Sequence, residues 1–218
     1  MVTALKKIDL YTRSCLSKKY KMSSVNVKVV VRVRPQNKIE VSRGGSPCVQ
    51  VNKENTEINV EDGYNSQKWT FDCVFAPNST QPQVFEVVGA PVVDAVFQGF
   101  NGTIFAYGQT SSGKTHTMTG PDGKFVDPAM SGVIPRCVDA IFEKCTQADS
   151  NLEFTVQAMF MEIYLERVKD LLNVRNTNLS IREDLASGRG IYVEGKNYIV
   201  YKKLVFVSFV VVFTWYCD

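Results

Sequence analysis

Residues 108–115 read Gly108-Gln109-Thr110-Ser111-Ser112-Gly113-Lys114-Thr115. This stretch, called the P-loop below, matches the pattern G-x-x-x-x-G-K-[ST] at every fixed position. Glycines let such a turn approach a phosphate closely, and its successive N–H groups form a concave anion site. We therefore predict that the loop wraps the phosphates of a nucleotide, with Lys114 reaching the β- and γ-phosphates and Thr115 giving a hydroxyl ligand to Mg²⁺. An ordinary strand-to-helix turn is the alternative interpretation.

The segments on either side of the P-loop favour the first interpretation. Residues 102–107 form a short apolar run that is typical of a strand, and after Gly113 no helix breaker occurs until Gly120. Strand, glycine-rich loop and helix in this order form the context that the motif requires. The positive end of the helix dipole would then point at the bound phosphates.

The rest of the chain between residues 25 and 195 alternates strand-like and helix-like segments, which predicts an α/β fold. Further strands are expected at 25–33, 57–61, 68–74 and 154–164. The second and third of these flank Asp62-Gly63, which predicts a hairpin turn. Helices are expected from an N-cap at Thr80 to about Gln98 and over 135–146.

Composition and charge exclude several classes of protein. A chain of 218 residues can bury a sizeable core without disulfides or metals. Its six cysteines include no C-x-x-C pair and its single histidine is His116, which argues against a zinc site. The net charge of +3 arises in the first 21 residues, and the remainder is slightly acidic. We therefore expect no nucleic-acid partner and, because no secretory leader is recognisable, an intracellular protein.

Both ends of the chain differ from the middle. We expect residues 1–24 to be a disordered extension, with Met22 as an alternative start. Residues 204–216 form a nearly unbroken apolar run, which is shorter than the roughly 20 residues of a membrane helix, so no membrane span is expected. The β-branched and aromatic side chains of this run suit a buried strand. We interpret residues 196–218 as an atypical tail that derives from read-through or from a truncated gene.

Several further motifs surround the P-loop. They are Arg32-Val33-Arg34-Pro35, Phe71-Asp72-Cys73-Val74-Phe75, Gly132-Val133-Ile134-Pro135-Arg136, and Glu162-Ile163-Tyr164 followed by Asp170-Leu171-Leu172. Together with residues 105–118, this set resembles the kinesin motor domain, most nearly that of conventional kinesin heavy chain. The resemblance covers residues 25–195 in the family's order. It implies the P-loop NTPase-type kinesin motor fold, a central and mostly β-sheet flanked by helices, with its C-terminal half incomplete.

The resemblance also implies cofactors, partners and site residues. ATP and Mg²⁺ would be the cofactors, with the phosphates held by residues 108–115 and Lys114 as the catalytic contact. The adenine would be lined by Arg32, Arg34, Pro35 and His116. Arg167 and Arg182 lie where the family touches the microtubule, which implies a cytoplasmic protein on the microtubule cytoskeleton. From the residues alone, a structural histidine and ordinary surface arginines stay open as alternatives.

Two family motifs, N-x-x-S-S-R-S-H and D-x-x-G-x-E, do not occur in these 218 residues. In the family they sense the γ-phosphate and place the attacking water, and the neck and the dimerisation region are missing too. We therefore interpret the chain as the ATP-binding N-terminal part of a microtubule motor ATPase, not a competent motor alone. The alternatives are a nucleotide-binding pseudo-motor or regulatory module and an unrelated P-loop phosphotransferase.

The resemblance carries one expectation about folding. In the kinesin fold the strand before the P-loop lies between two strands that come late in the chain, beyond the residues present here. An unpaired buried N–H or C=O group costs about 1 to 3 kcal/mol. We therefore expect a poorly folded chain, or an apolar C-terminal run that substitutes for a missing strand.

Overall fold

The computed structural model describes residues 2–5, 27–61, 63–121, 127–152, 154–186, 190–195, 199–202 and 207–214. The chain divides into two compact units, one made of 1–8 and 22–142 and the other of 9–21 and 143–218. The strands are β1 (Val2–Leu5), β2 (Lys28–Arg32), β3 (Val49–Val51), β4 (Glu57–Glu61), β5 (Ser66–Thr70), β6 (Cys73–Phe75), β7 (Phe105–Tyr107), β8 (Thr155–Tyr164), β9 (Arg167–Asp170), β10 (Ile181–Asp184), β11 (Gly190–Val193), β12 (Ile199–Lys202) and β13 (Val207–Thr214). The helices are α1 (Lys38–Ser42), α2 (Gln81–Val88), α3 (Ala90–Phe97), α4 (Lys114–Met118) and α5 (Val133–Gln147), with a short 3-10 helix at Pro128–Met130.

The first unit contains a four-stranded sheet in the order β6-β2-β1-β7. Strand β2 runs parallel to β6, with Val31 opposite Val74, and both side chains are buried. Strand β1 is antiparallel to β2 and to β7, the strand that leads into the P-loop. Strand β7 thus has β1 as a partner, whereas the resemblance implied no partner for it within this chain, so that expectation is wrong. Val2–Leu5, which lie in the predicted extension 1–24, form strand β1. Residues 6–26 lie outside the described residues.

A three-stranded antiparallel sheet, β3-β4-β5, also belongs to the first unit. The predicted hairpin is confirmed, because β4 pairs with β5 from Glu57↔Thr70 to Glu61↔Ser66. The predicted strand 68–74 is wrong, since β5 ends at Thr70 and β6 belongs to the other sheet. At the change of sheet, Asp72 is tied to β2 by two hydrogen bonds: its carboxylate accepts from the N–H of Val29 at 2.6 Å, and its own N–H donates to the carbonyl of Val29 at 3.1 Å.

The helix predicted from Thr80 to Gln98 is two helices. Thr80 caps α2 in a capping box with Gln83, as predicted. The break follows from Pro91, which has no N–H to donate to the carbonyl of Val87 four residues earlier. That carbonyl instead accepts a hydrogen bond from Lys28 Nζ at 3.2 Å, which ties the helix break to β2.

The second unit is built around β8, which confirms the strand predicted over 154–164. Strands β9 and β12 pair with it antiparallel, and β13 pairs with it parallel from Val207↔Val156 to Thr214↔Ile163. The apolar C-terminal run thus forms a strand, but beside β8 and not beside the P-loop strand. The buried core of the second unit consists of Met159, Met161 and Val168. No helix within the described ranges is long and apolar enough to cross a membrane.

Candidate functional site

The P-loop joins β7 to α4 through a turn that contains left-handed backbone conformations. Ser111 has a left-handed backbone with φ +65°, and Gly113, the residue before α4, has φ +98°. At that φ a side chain is strained, so glycine is required. A Cβ added to Gly113 would have its nearest neighbour in Arg34 Cβ at 4.0 Å, so the segment that follows β2 lies beside the loop.

Lys114 points back into its own loop. Its Nζ atom donates hydrogen bonds to the carbonyl oxygens of Gly108 at 2.5 Å and Gln109 at 2.9 Å. Nearby, Ser112 Oγ is buried and lacks a hydrogen-bond partner among the described residues. A buried hydroxyl without a partner costs about 1 to 3 kcal/mol unless a ligand or water satisfies it. The orphaned hydroxyl beside a lysine and a left-handed turn fits an oxygen-rich anion such as phosphate.

Helix α4 carries the next two residues of the predicted site. It ends at Met118 with Thr119 as its C-cap, and the left-handed backbone of Gly120 (φ +107°) stops it, as predicted. Thr115 is exposed on its first turn. His116 is half-buried, and burial, with a smaller effect from the positive charge of Arg32, lowers its pKa below the ordinary 6.5. The imidazole is therefore neutral at pH 7.

Arg32 lies at the centre of a polar cluster behind the P-loop. Its Nη1 donates to Gln81 Oε1 at 2.8 Å and to Thr117 Oγ1 at 3.0 Å, and its Nη2 donates to the carbonyl of Ser79 at 3.2 Å. Burial lowers the pKa of the guanidinium. Three hydrogen bonds fix the plane of the group, so one face of it keeps a constant orientation.

A cavity of about 390 Å³ opens beside this cluster. Its lining combines a cation, an imidazole and short polar side chains with apolar ones, a mixture suited to a heteroaromatic ring. The lining residues are Arg32, Ser79, Thr80, Gln81, Pro82, His116, Ala129 and Met130. Two of the four residues predicted to line the adenine, Arg32 and His116, thus share one cavity.

The other two, Arg34 and Pro35, are not among the lining residues of that cavity. The guanidinium of Arg34 turns towards α1 and forms a two-pronged ion pair with Glu40. Glu40 also closes a capping box with Asn37. The hydrogen bonds from Arg34 lower the pKa of Glu40 to about 2, and the same pairing raises the pKa of Arg34. In this structure Arg34 anchors α1 beside the P-loop.

Sequence reasoning missed Gln81 and Thr117. Both side chains are almost fully buried, with exposed fractions of 4% and 3%, and both hydrogen-bond to Arg32. Gln81 follows the helix cap Thr80, and the cap residues Thr80 and Gln83 explained the local pattern without it. A polar residue at a buried position of the first turn of a helix is the signal that could have revealed it.

Arg167 and Arg182 belong to the second unit. Arg167 is exposed and begins β9 directly after a turn in which Leu165 and Glu166 have left-handed backbones, with φ +48° and +59°. Arg182 is exposed as well and forms an ion pair with Glu194 at 3.0 Å. A screened surface pair of this kind contributes little stability, yet it neutralises much of the local charge of Arg182.

The order of motifs and the geometry of the P-loop can be compared with known proteins. A family model described as the kinesin motor domain matches residues 32–207. The chain belongs to the kinesin motor-domain family. The matched range begins with the arginine that lines the cavity and extends beyond the boundary predicted at Gly195.

Individual kinesins agree with the family match. The kinesin heavy chain of Syncephalastrum racemosum is 46% identical over 174 residues, which cover 80% of this chain and 18% of that protein. Kinesin-1 heavy chain of Homo sapiens is 44% identical over 174 residues, 80% of this chain and 17% of the human protein. A solved structure of a fast kinesin superposes on this chain with a TM-score of 0.74 at 41% sequence identity. The superposition covers 79% of this chain and 47% of the fast kinesin chain. The chain thus spans less than a fifth of the length of these heavy chains, and its fold is that of a kinesin motor domain.

Proposed function

We propose that this chain binds ATP with Mg²⁺ at the P-loop, as the N-terminal part of a microtubule-based motor ATPase. The observation that carries the proposal is the P-loop itself: Lys114 directed at the loop interior and Ser112 Oγ buried without a partner among the described residues. Membership of the kinesin motor-domain family supports it, as does the solved fast kinesin, which is described in terms of ATPase mechanism and interactions with microtubules.

Each part of the site has a role in this proposal. The loop residues Gly108, Gln109, Thr110, Ser111, Ser112 and Gly113 surround the phosphates, and their backbone N–H groups together with Lys114 neutralise the phosphate charge. The Thr115 hydroxyl would hold Mg²⁺, which would supply positive charge to offset that of the phosphates. The base would occupy the cavity between Arg32 and His116, whereas the predicted adenine contacts of Arg34 and Pro35 lie outside the lining of that cavity.

For the microtubule, we propose Arg167 as the stronger of the two contacts. It is exposed beside a tight hairpin turn, whereas Arg182 already pairs with Glu194. A microtubule presents an acidic surface, so an unscreened arginine at a protruding turn adds long-range attraction. Cosedimentation of the full chain with microtubules tests this role. R167E should release the chain at lower salt than the wild type, whereas R182E should shift release less.

The alternative function is a nucleotide-binding module without motility, for which the P-loop and the base cavity alone would suffice. Titration of the chain with a fluorescent ADP and Mg²⁺, followed by an ATPase assay with microtubules, separates the two. Binding together with microtubule-stimulated hydrolysis supports a motor, and binding without stimulation supports the module. A chain that binds neither ADP nor ATP would overturn both.

A further inference from the structure

We propose that Gln81 is a positioning residue of the nucleotide site, which sets the orientation of Arg32 against the base cavity; this inference rests on the proposed function. Both ends of its amide are engaged. Oε1 accepts a hydrogen bond from Arg32 Nη1 at 2.8 Å, and Nε2 donates to the carbonyls of His116 at 2.7 Å and Met130 at 3.2 Å. One buried side chain thus connects β2, α4 and the 3-10 helix.

The chemistry of the cluster explains why an amide stands at this position. Within the described residues, Arg32 donates its side-chain hydrogen bonds to neutral oxygens, those of Gln81, Thr117 and Ser79. Neutral acceptors fix the plane of the guanidinium but leave its positive charge available to a ligand. A carboxylate would neutralise that charge, and it could not donate to the two carbonyls. Among neutral side chains, only the amides of Gln and Asn accept a hydrogen bond and donate two others at once, as Gln81 does here.

Gln81 also holds together the two walls of the cavity that carry His116 and Met130. The two walls are in direct contact two residues further along each segment, at Met118 and Gly132. A Cβ added to Gly132 would lie 2.5 Å from the carbonyl carbon of Met118. The Gln81 amide bridges the same two segments from the cavity side. Its loss should therefore let Arg32 rotate and let the base site loosen, while the P-loop backbone keeps its own hydrogen bonds.

The test compares a whole nucleotide with its phosphate part. Calorimetric titration of the full chain measures the dissociation constants of Mg-ADP and of Mg-tripolyphosphate for the wild type, Q81M and Q81E. Methionine keeps the length of the side chain and removes all three hydrogen bonds, so Q81M should weaken ADP binding about tenfold or more. Tripolyphosphate binding should change less than about twofold, since the P-loop is untouched. Q81E retains the acceptor for Arg32 and should weaken ADP binding as well, again without loss of tripolyphosphate.

Q83M is the matched control, because Gln83 lies on the same helix and caps Thr80 but is exposed and does not contact Arg32. It should leave both dissociation constants unchanged. If Q81M does not give a cooperative melting curve, Q81E carries the comparison. An equal loss of both ligands, or an unchanged affinity for ADP, overturns the positioning role alone. A wild-type chain that binds neither ligand overturns the proposed function and, with it, this inference.

Discussion

The Nζ atom of Lys114 lies 2.5 Å from the carbonyl oxygen of Gly108, so the single charged residue of the P-loop is hydrogen-bonded to the first residue of the loop. A second hydrogen bond, to Gln109, holds the ammonium group at the inner side of the turn. A phosphate oxygen carries charge and is a stronger acceptor than a carbonyl. The lysine is therefore already placed where an entering phosphate can take over its hydrogen bonds.

A substitution at Gly113 tests whether nucleotide binding depends on the backbone conformation of the P-loop. The φ of +98° at Gly113 strains any side chain, so G113A should lower the free energy of unfolding by about 1 to 2 kcal/mol and weaken Mg-ADP binding. G44A is the matched control, because Gly44 has φ +74°, lies in open space and is remote in sequence from the P-loop. Thermal melting with and without Mg-ADP should show a similar loss of stability for both variants but a smaller ligand shift for G113A alone. Equal ligand shifts would contradict the role of the loop backbone.

Gly132 tests the contact behind α4. A Cβ at this position would lie 2.5 to 2.6 Å from backbone atoms of Met118 and Thr119, which cannot move aside as a flexible side chain would. G132A should therefore lower the free energy of unfolding by about 1 to 3 kcal/mol, which chemical denaturation measures. A G132A chain as stable as the wild type would show that the two segments are not in contact.

The environment of His116 leads us to expect that the stability of the chain depends on pH. Burial and the charge of Arg32 hold the pKa of His116 in the folded chain below the ordinary 6.5. As the pH falls, the unfolded chain therefore takes up a proton at a higher pH than the folded chain does. Stability should therefore fall as the pH drops through 6.5, and the loss should be complete below the pKa of the folded chain. Because His116 is the single histidine, H116Q should show a smaller decrease in melting temperature between pH 7.5 and 5.5. Identical decreases would mean that this imidazole is not desolvated.

The ion pair of Glu40 leads us to expect a second pH dependence of stability, at acidic pH. The folded pKa of Glu40, about 2 and set mainly by the hydrogen bonds from Arg34, lies below the ordinary 4.5. The stabilisation by the Arg34–Glu40 pair should be fully present above pH 4.5 and should be lost as the pH falls from there towards 2. The stability difference between the wild type and E40Q should thus be constant from pH 5 to 7 and shrink in acid. A difference that already shrinks above pH 5 would contradict the ion pair.

The sequence predicts the parts of this fold that local chemistry encodes. The P-loop motif, the Thr80 cap and the β4–β5 hairpin follow from residues that are neighbours along the chain. The break before α3 is encoded as well, by Pro91, but the pattern of apolar residues on both sides concealed it. The end of β5 could not be predicted, because it depends on Asp72 reaching the N–H of Val29, a contact between distant parts of the chain.

The candidate site divides in the same way. The residues that would hold phosphate are consecutive and form a recognisable motif. Gln81 and Thr117 come from different helices, and only the folded chain brings them to Arg32. The pairing of Arg34 with Glu40 likewise depends on where α1 begins. A motif therefore locates the phosphate end of the site, whereas the base end requires tertiary structure.

The central claim is that the P-loop holds the phosphates of a nucleotide. The most direct test replaces Lys114 by alanine in the full chain and measures the binding of labelled adenine nucleotide with Mg²⁺. A hydrogen bond to a charged group contributes about 1.5 to 3 kcal/mol, so K114A should weaken binding about 10- to 100-fold. K53A, at an exposed lysine in the turn between β3 and β4, should bind as the wild type does. Retention of the nucleotide by K114A with unchanged affinity would contradict the claim.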